Sequence, residues 1–142
     1  MKRSEIPDLI GLIFILLFVY ASVSKLISFG TFRIEMMRQS VPRWSVDLLV
    51  YIIPVAELVI AGLFLFRNFR TAGLVGSFVL LLTFTVYVTL AMFGAFGKVP
   101  CSCGGIISKF TWPQHFVFNL IFLSLSIYGI VLDQKERRFI GK

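Results

Sequence analysis

Four stretches of this chain, 9–27, 48–66, 74–93 and 116–132, are almost free of charged residues. Each is about 17 to 20 residues long, which at ~1.5 Å rise per residue crosses a hydrocarbon core of roughly 30 Å. A backbone in lipid must satisfy its own hydrogen bonds, which leaves helices or a closed barrel. None of the four stretches has the short alternating pattern of a barrel strand. The chain is therefore expected to be all-α, an integral membrane four-helix bundle forming a single domain over 1–142. Composition agrees: 58% of the residues are hydrophobic and 15% charged, against roughly 45 to 50% and about 25% in soluble domains. Four spans occupy nearly the whole length, so no separate soluble domain is expected.

Lys2 and Arg3 ahead of the first stretch, with Val19-Tyr20-Ala21 inside it, resemble parts of a secretory signal. Glu5 and Asp8 interrupt the basic region and the apolar run is long for a signal, so a retained first helix is expected. An even number of spans puts both termini and the Arg67-Asn68-Phe69-Arg70 turn on one side. That side carries Lys2, Arg3, Arg67, Arg70, Lys135, Arg137, Arg138 and Lys142; the other carries Lys25, Arg33, Arg38, Arg43, Lys98 and Lys109. The positive-inside rule then favours cytoplasmic termini in a bacterial inner membrane. The net charge of +7 is accounted for by these membrane-flanking residues, and no basic domain suggests a nucleic-acid partner.

Three features carry chemistry. Glu57 is the acidic residue placed well inside a span, and an intramembrane carboxylate is expected to face the bundle interior with a partner. Lys25, near the outer end of the first span, is the candidate. Glu57 lies about 10 to 14 Å below the start of the second span at ~1.5 Å per residue, so both side chains must reach toward each other. The pair reads either as an ion pair fixing helix register or as a proton-accepting or quinone-binding group. Pro54, one turn before Glu57, removes a backbone hydrogen bond there. His115 opens the fourth span after Pro113, which suits a first helical turn, and Asn119 follows one turn below.

The only two cysteines stand together in Cys101-Ser102-Cys103-Gly104-Gly105, between the third and fourth spans. On the orientation above they face the periplasm, where a paired thiol persists as a disulfide. As a redox pair they would close a very small ring, readily reduced. Lys98, Lys109 and His115 could favour the thiolate, and the glycines would admit another backbone. Two thiolates also suit Cu(I), whereas a closed zinc site would need four ligands; buried inert thiols are the third reading. Between spans one and two, Phe32, Met36 and Met37 alternate with Arg33, Glu35 and Arg38, suggesting a short amphipathic turn at the interface that caps the bundle or forms a lip over the cysteine loop.

These features together resemble the MauE branch of the DoxX-like membrane proteins, the methylamine-utilisation family and its redox-associated relatives. The likeness rests on Ser24-Lys25-Leu26 closing the first span, Pro54-Val55-Ala56-Glu57-Leu58 in the second, and Cys101-Ser102-Cys103-Gly104-Gly105 before the fourth. The resemblance implies a role in forming or transferring disulfides in an exported protein, alongside a periplasmic thioredoxin-like partner. Gly104 stands where the family commonly has Phe, which puts methylamine metabolism itself in question. In that reading Cys101 and Cys103 exchange electrons with the partner's cysteines, His115 and Lys109 tune the attacking thiol, and Glu57 with Lys25 handles a proton or holds a quinone. The other class of function is a non-enzymatic assembly factor or scaffold with a structural or Cu(I)-binding loop.

Overall fold

A computed structural model describes residues 5–37, 42–92 and 112–141. The described elements are α1 (Glu5–Ile27), α2 (Phe29–Met37), α3 (Arg43–Phe64), a 3-10 turn (Arg67–Phe69), α4 (Arg70–Met92) and α5 (Trp112–Ile140). Among the described residues, four helical segments, Glu5–Ile27, Arg43–Phe64, Arg67–Leu90 and Phe116–Phe139, are long and apolar enough to cross a membrane. The all-α membrane bundle expected from the sequence is the fold.

The helices run longer than the apolar stretches, and the reason is physical. Hydropathy marks where lipid begins, while a helix continues as long as its backbone bonds are made. α1 thus starts at Glu5 rather than 9, and α3 starts at Arg43 rather than 48 but stops at Phe64, short of 66. α5 carries its charged end on to Ile140. α3 also runs straight through Pro54, which a helix in a bundle tolerates when neighbours re-satisfy the freed groups.

Each spanning helix turns an apolar stripe outward. Leu12, Leu16, Val19 and Val23 of α1 are exposed, as are Leu48, Ile52, Val55 and Val59 of α3, and Val75, Val79, Leu82 and Val86 of α4. Steps of three and four residues put each set on one face. In water these stripes would be a liability; in lipid they are the expected surface. The inward faces mix large apolar side chains with small and polar groups, including Gly73, Ser22, Ser77 and Ser126, which let the helices pack closely in a bilayer.

The closest helix pairs are α4 with α5 and α1 with α3, with α3 also against α4 and α1 against α5; α1 and α4 touch little. The helices therefore follow one another around the bundle as α1, α3, α4, α5, with α3 and α5 on a diagonal. Phe14 of α1 anchors the centre. Its ring stacks on Phe64 of α3 at 5.7 Å and on Phe18 at 5.9 Å, and meets Phe122 of α5 edge-on at 5.9 Å. Phe64 fits because Gly11 and Gly73 flank it: a Cβ at either glycine would stand 3.2 Å from its ring. Likewise a Cβ at Gly129 would stand 2.8 Å from Leu74 Cδ2 and 3.3 Å from Ile10 Cγ2, so this glycine sets how closely α1, α4 and α5 approach.

α2 folds back off α1 at Ser28. It caps the end of the bundle where α1 finishes and α3 begins, burying Phe32 and Met36 against Val46, Val50 and Ile53. Met37, expected on the apolar side, is exposed: a nine-residue helix presents only one face to α3, and 37 is off it. An Arg33–Asp47 ion pair of 2.6 Å and the Phe29–Tyr51 ring contact at 5.4 Å tie α2 to the start of α3.

Candidate functional site

Lys25 and Glu57 do meet. Lys25 Nζ donates to Glu57 Oε1 at 2.7 Å, with the two residues 4% and 2% exposed. One turn earlier on each helix, Ser22 Oγ donates to the Pro54 carbonyl oxygen at 3.0 Å. That carbonyl is inside the bundle, and the bond fixes the register of α1 against α3. The two helices are antiparallel, as the pairing of Phe14 with Phe64 at one end and Ser22 with Pro54 at the other requires. Side chains on a helix lean toward its own N-terminus. Lys25 therefore leans inward along α1, Glu57 leans outward along α3, and the two close a gap their backbones leave. The Lys25 ammonium also stands 6.0 Å from the Phe32 ring centroid, so α2 covers the pair with an aromatic face.

The carboxylate is only half satisfied. Glu57 Oε2 is buried and has no hydrogen-bond partner among the described residues, and the same is true of Asn119 Nδ2 on α5. Unpaired buried polar atoms are uncommon enough that each calls for an explanation.

α5 enters the bundle at this same end. Phe122 lies level with Phe14, so the first turn of α5, containing His115, lies two turns further out, near the level of Ser22 and Lys25. Cys101 and Cys103, with Lys98 and Lys109, lie outside the described residues; the helices on either side of them end at Met92 and begin at Trp112. The expected site residues thus divide into a pair the structure joins, a histidine at the matching level of α5, and two cysteines in the intervening segment.

At the opposite end lies a charge cluster that sequence reading treated as solvated flanks. Arg70 opens α4 and is 4% exposed. Its Nε donates to Asp133 Oδ1 at 2.8 Å, Nη1 to Asp8 Oδ1 at 2.6 Å and Nη2 to Glu136 Oε2 at 2.6 Å. Asp133, fully buried, also accepts from Thr71 and from Arg137 Nε, and Arg67 pairs with Glu136 at 3.1 Å. Three guanidinium groups and three carboxylates thereby lock α1, α4 and α5 together, with Arg67 facing Glu136, Arg70 facing Asp133 and Leu74 facing Gly129 in one antiparallel register. The signal was present in the spacing of Asp133, Glu136 and Arg137, which share a helix face. Among the described residues, no group of three or more His, Cys, Asp or Glu side chains is placed to hold a metal ion.

No curated protein and no solved structure matches this chain. A family model, that of methylamine utilisation protein MauE, matches residues 3–132. That match takes in α1 to α4 and α5 as far as Leu132, together with Lys25, Glu57, His115 and both cysteines, and so this multi-pass membrane protein belongs to the MauE family.

Proposed function

We propose that this chain is a membrane accessory protein for disulfide maturation, exchanging thiols and disulfides with a periplasmic thioredoxin-like protein through Cys101 and Cys103. It resides in the bacterial inner membrane with both termini cytoplasmic and the Cys-x-Cys segment periplasmic. The observation that carries this reading is the clustering of the chain's only two cysteines, one residue apart and followed by two glycines, in a membrane protein of the MauE family. The resemblance of the sequence to DoxX-like redox-associated proteins points the same way.

The exchange balances within the two proteins. A thiolate of the partner attacks the Cys101–Cys103 disulfide, forming a mixed disulfide and releasing one thiolate of this chain. The partner's second thiolate then attacks the mixed disulfide, leaving the partner oxidised and both Cys101 and Cys103 as thiols. Run backward, the same steps reduce the partner. In this reading His115 and Lys109 tune the attacking thiol, and Glu57 with Lys25 handles a proton or holds a quinone.

Replacing Cys103 with Ser, and separately Cys101, tests this in membranes. With a resolving-cysteine variant of the partner, one of the two single-cysteine chains accumulates a mixed disulfide that reductant dissolves. A scaffold with a structural or Cu(I)-binding loop would associate with its partner and give no such adduct with either variant.

A further inference from the structure

Of the four spans, α5 is the least covered by the rest of the bundle. Its most apolar window is 22% buried, against 39%, 33% and 33% for the other three. The face it leaves open runs Val117, Leu120, Ser124, Ile127, Val131 and Gln134, all exposed. Those steps alternate between three and four residues, the seven-residue repeat of a coiled-coil seam, with Val, Ser and Val at one position and Leu, Ile and Gln at the other. The apolar stripes on α1, α3 and α4 need no protein cover, because lipid tails solvate Leu and Val as well as another helix would. Ser124 is different. It lies eight residues from Phe116 and nine from Asp133, so ~12 to 14 Å from either end of the span at ~1.5 Å per residue, at the bilayer centre. The span hydroxyls of Ser22, Ser77, Thr83, Thr85 and Ser126 each donate to a backbone carbonyl; among the described residues Ser124 has no hydrogen bond. Helical side chains lean toward the helix N-terminus, so Tyr128, half exposed and one turn further in, carries its own hydroxyl toward the same level.

We infer that the chain pairs with a second copy of itself along α5, with the two Ser124 hydroxyls bonded across a two-fold axis normal to the membrane. Copies of one chain insert the same way up, so such an axis makes the two α5 helices parallel and sets each seam residue opposite its counterpart at equal depth. A hydroxyl suits that position because it is both donor and acceptor; a carboxylate or ammonium there would meet its like. A foreign helix would need a polar group of its own at the same depth, whereas a second copy carries one. The rest of the seam agrees. β-Branched residues at the Val117 and Val131 position, with Leu120 at the other, favour two strands, and one polar residue at the middle of a seam fixes its register. The pairing ends at Gln134, because Arg138, the next position of the repeat, would set like charges together beyond the lipid. Nothing in this contact involves the cysteines or the exchange chemistry.

The test is disulfide cross-linking of the full chain in lipid vesicles, in a Cys101→Ser/Cys103→Ser background with one cysteine introduced at a time. Ser124→Cys, Ile127→Cys and Val131→Cys should each give a covalent dimer under mild oxidation, whereas Val19→Cys on α1, Val55→Cys on α3 and Val79→Cys on α4 should stay monomeric. All six positions are exposed, so none of these changes disturbs the bundle core. The second readout is fluorescence energy transfer between copies labelled at the amino terminus, which should fall as the protein is diluted into lipid. Ser124→Ala should weaken the association about three- to thirtyfold, as the loss of an interhelical hydroxyl bond predicts, and Val79→Ala should leave it unchanged. Cross-links equal at all six positions, cross-links confined to α1, α3 or α4, no energy transfer at any dilution, or association indifferent to Ser124→Ala would each overturn the α5 pairing. Since both readouts work without Cys101 and Cys103, their outcome is separate from that of the mixed-disulfide test.

Discussion

Lys25 Nζ and Glu57 Oε1 stand 2.7 Å apart inside the membrane bundle, joining α1 to α3 at the end nearest the cysteine segment. A buried pair of this kind is costly to break and cheap to replace. Removing one partner strands a charge, at about 3–5 kcal/mol, whereas exchanging both for apolar residues of similar size is close to neutral. Lys25→Met and Glu57→Leu should each lower the thermal stability of the protein in detergent sharply, and the double variant should recover most of the loss. The double-mutant comparison measures this directly.

Arg70 is held by carboxylates from two helices in a planar fork that an ammonium cannot copy. Arg70→Lys should therefore behave as a damaging change rather than a conservative one, with a loss of about 2–4 kcal/mol, since Oδ1 of the buried Asp133 loses the guanidinium fork and only Thr71 and Arg137 remain as donors, both on Oδ2. Arg33→Lys, in an exposed pair with Asp47, should cost less than about 1 kcal/mol. Thermal melts of the two variants side by side check the contrast.

The Gly129 contact predicts a packing defect. A methyl group there would lie 2.8 Å from Leu74 Cδ2, and both Leu74 and Ile10 are buried with little room to move. Gly129→Ala should destabilise by about 1–3 kcal/mol, while Gly62→Ala, with open space around it, should be neutral or slightly stabilising through helix propensity. Melting temperatures of the pair decide the matter.

Much of this architecture is legible in the chain, and the rest is hidden for definite reasons. Glu57 stood out because a lone carboxylate in an apolar span demands a partner, and Lys25 was the cation within reach. α2 was visible as an amphipathic turn, although its buried side proved to be Phe32 and Met36 without Met37. The Arg70 cluster escaped notice because Arg70 and Asp133 are 63 residues apart and each looks like an ordinary charged flank of a membrane span; only the register of α4 on α5 brings them together. Asn119 was recognisable as one turn below His115, but nothing in the sequence shows that its amide lacks a partner. The span ends were misjudged where helices project beyond the apolar stretch, as at Arg43.

If the short amphipathic helix is a cover for the ion pair, loosening it should expose the pair without unfolding the bundle. Phe32→Ala removes the ring beneath the Lys25 ammonium as well as a buried anchor of α2, and should cost about 3–5 kcal/mol if α2 packs as a core element. Amine-reactive labelling of Lys25 at subdenaturing temperature should rise in this variant, and remain as slow as in the parent chain if α2 contributes no cover.

The exchange proposed here requires Cys101 and Cys103 to form a labile disulfide on the outer face of the membrane. Alkylation-shift labelling of intact cells with a membrane-impermeant thiol reagent, before and after mild reduction, tests it most directly. No labelling is expected before reduction, and labelling of both cysteines after it. Free thiols under both conditions, or labelling that requires a permeant reagent, would contradict it.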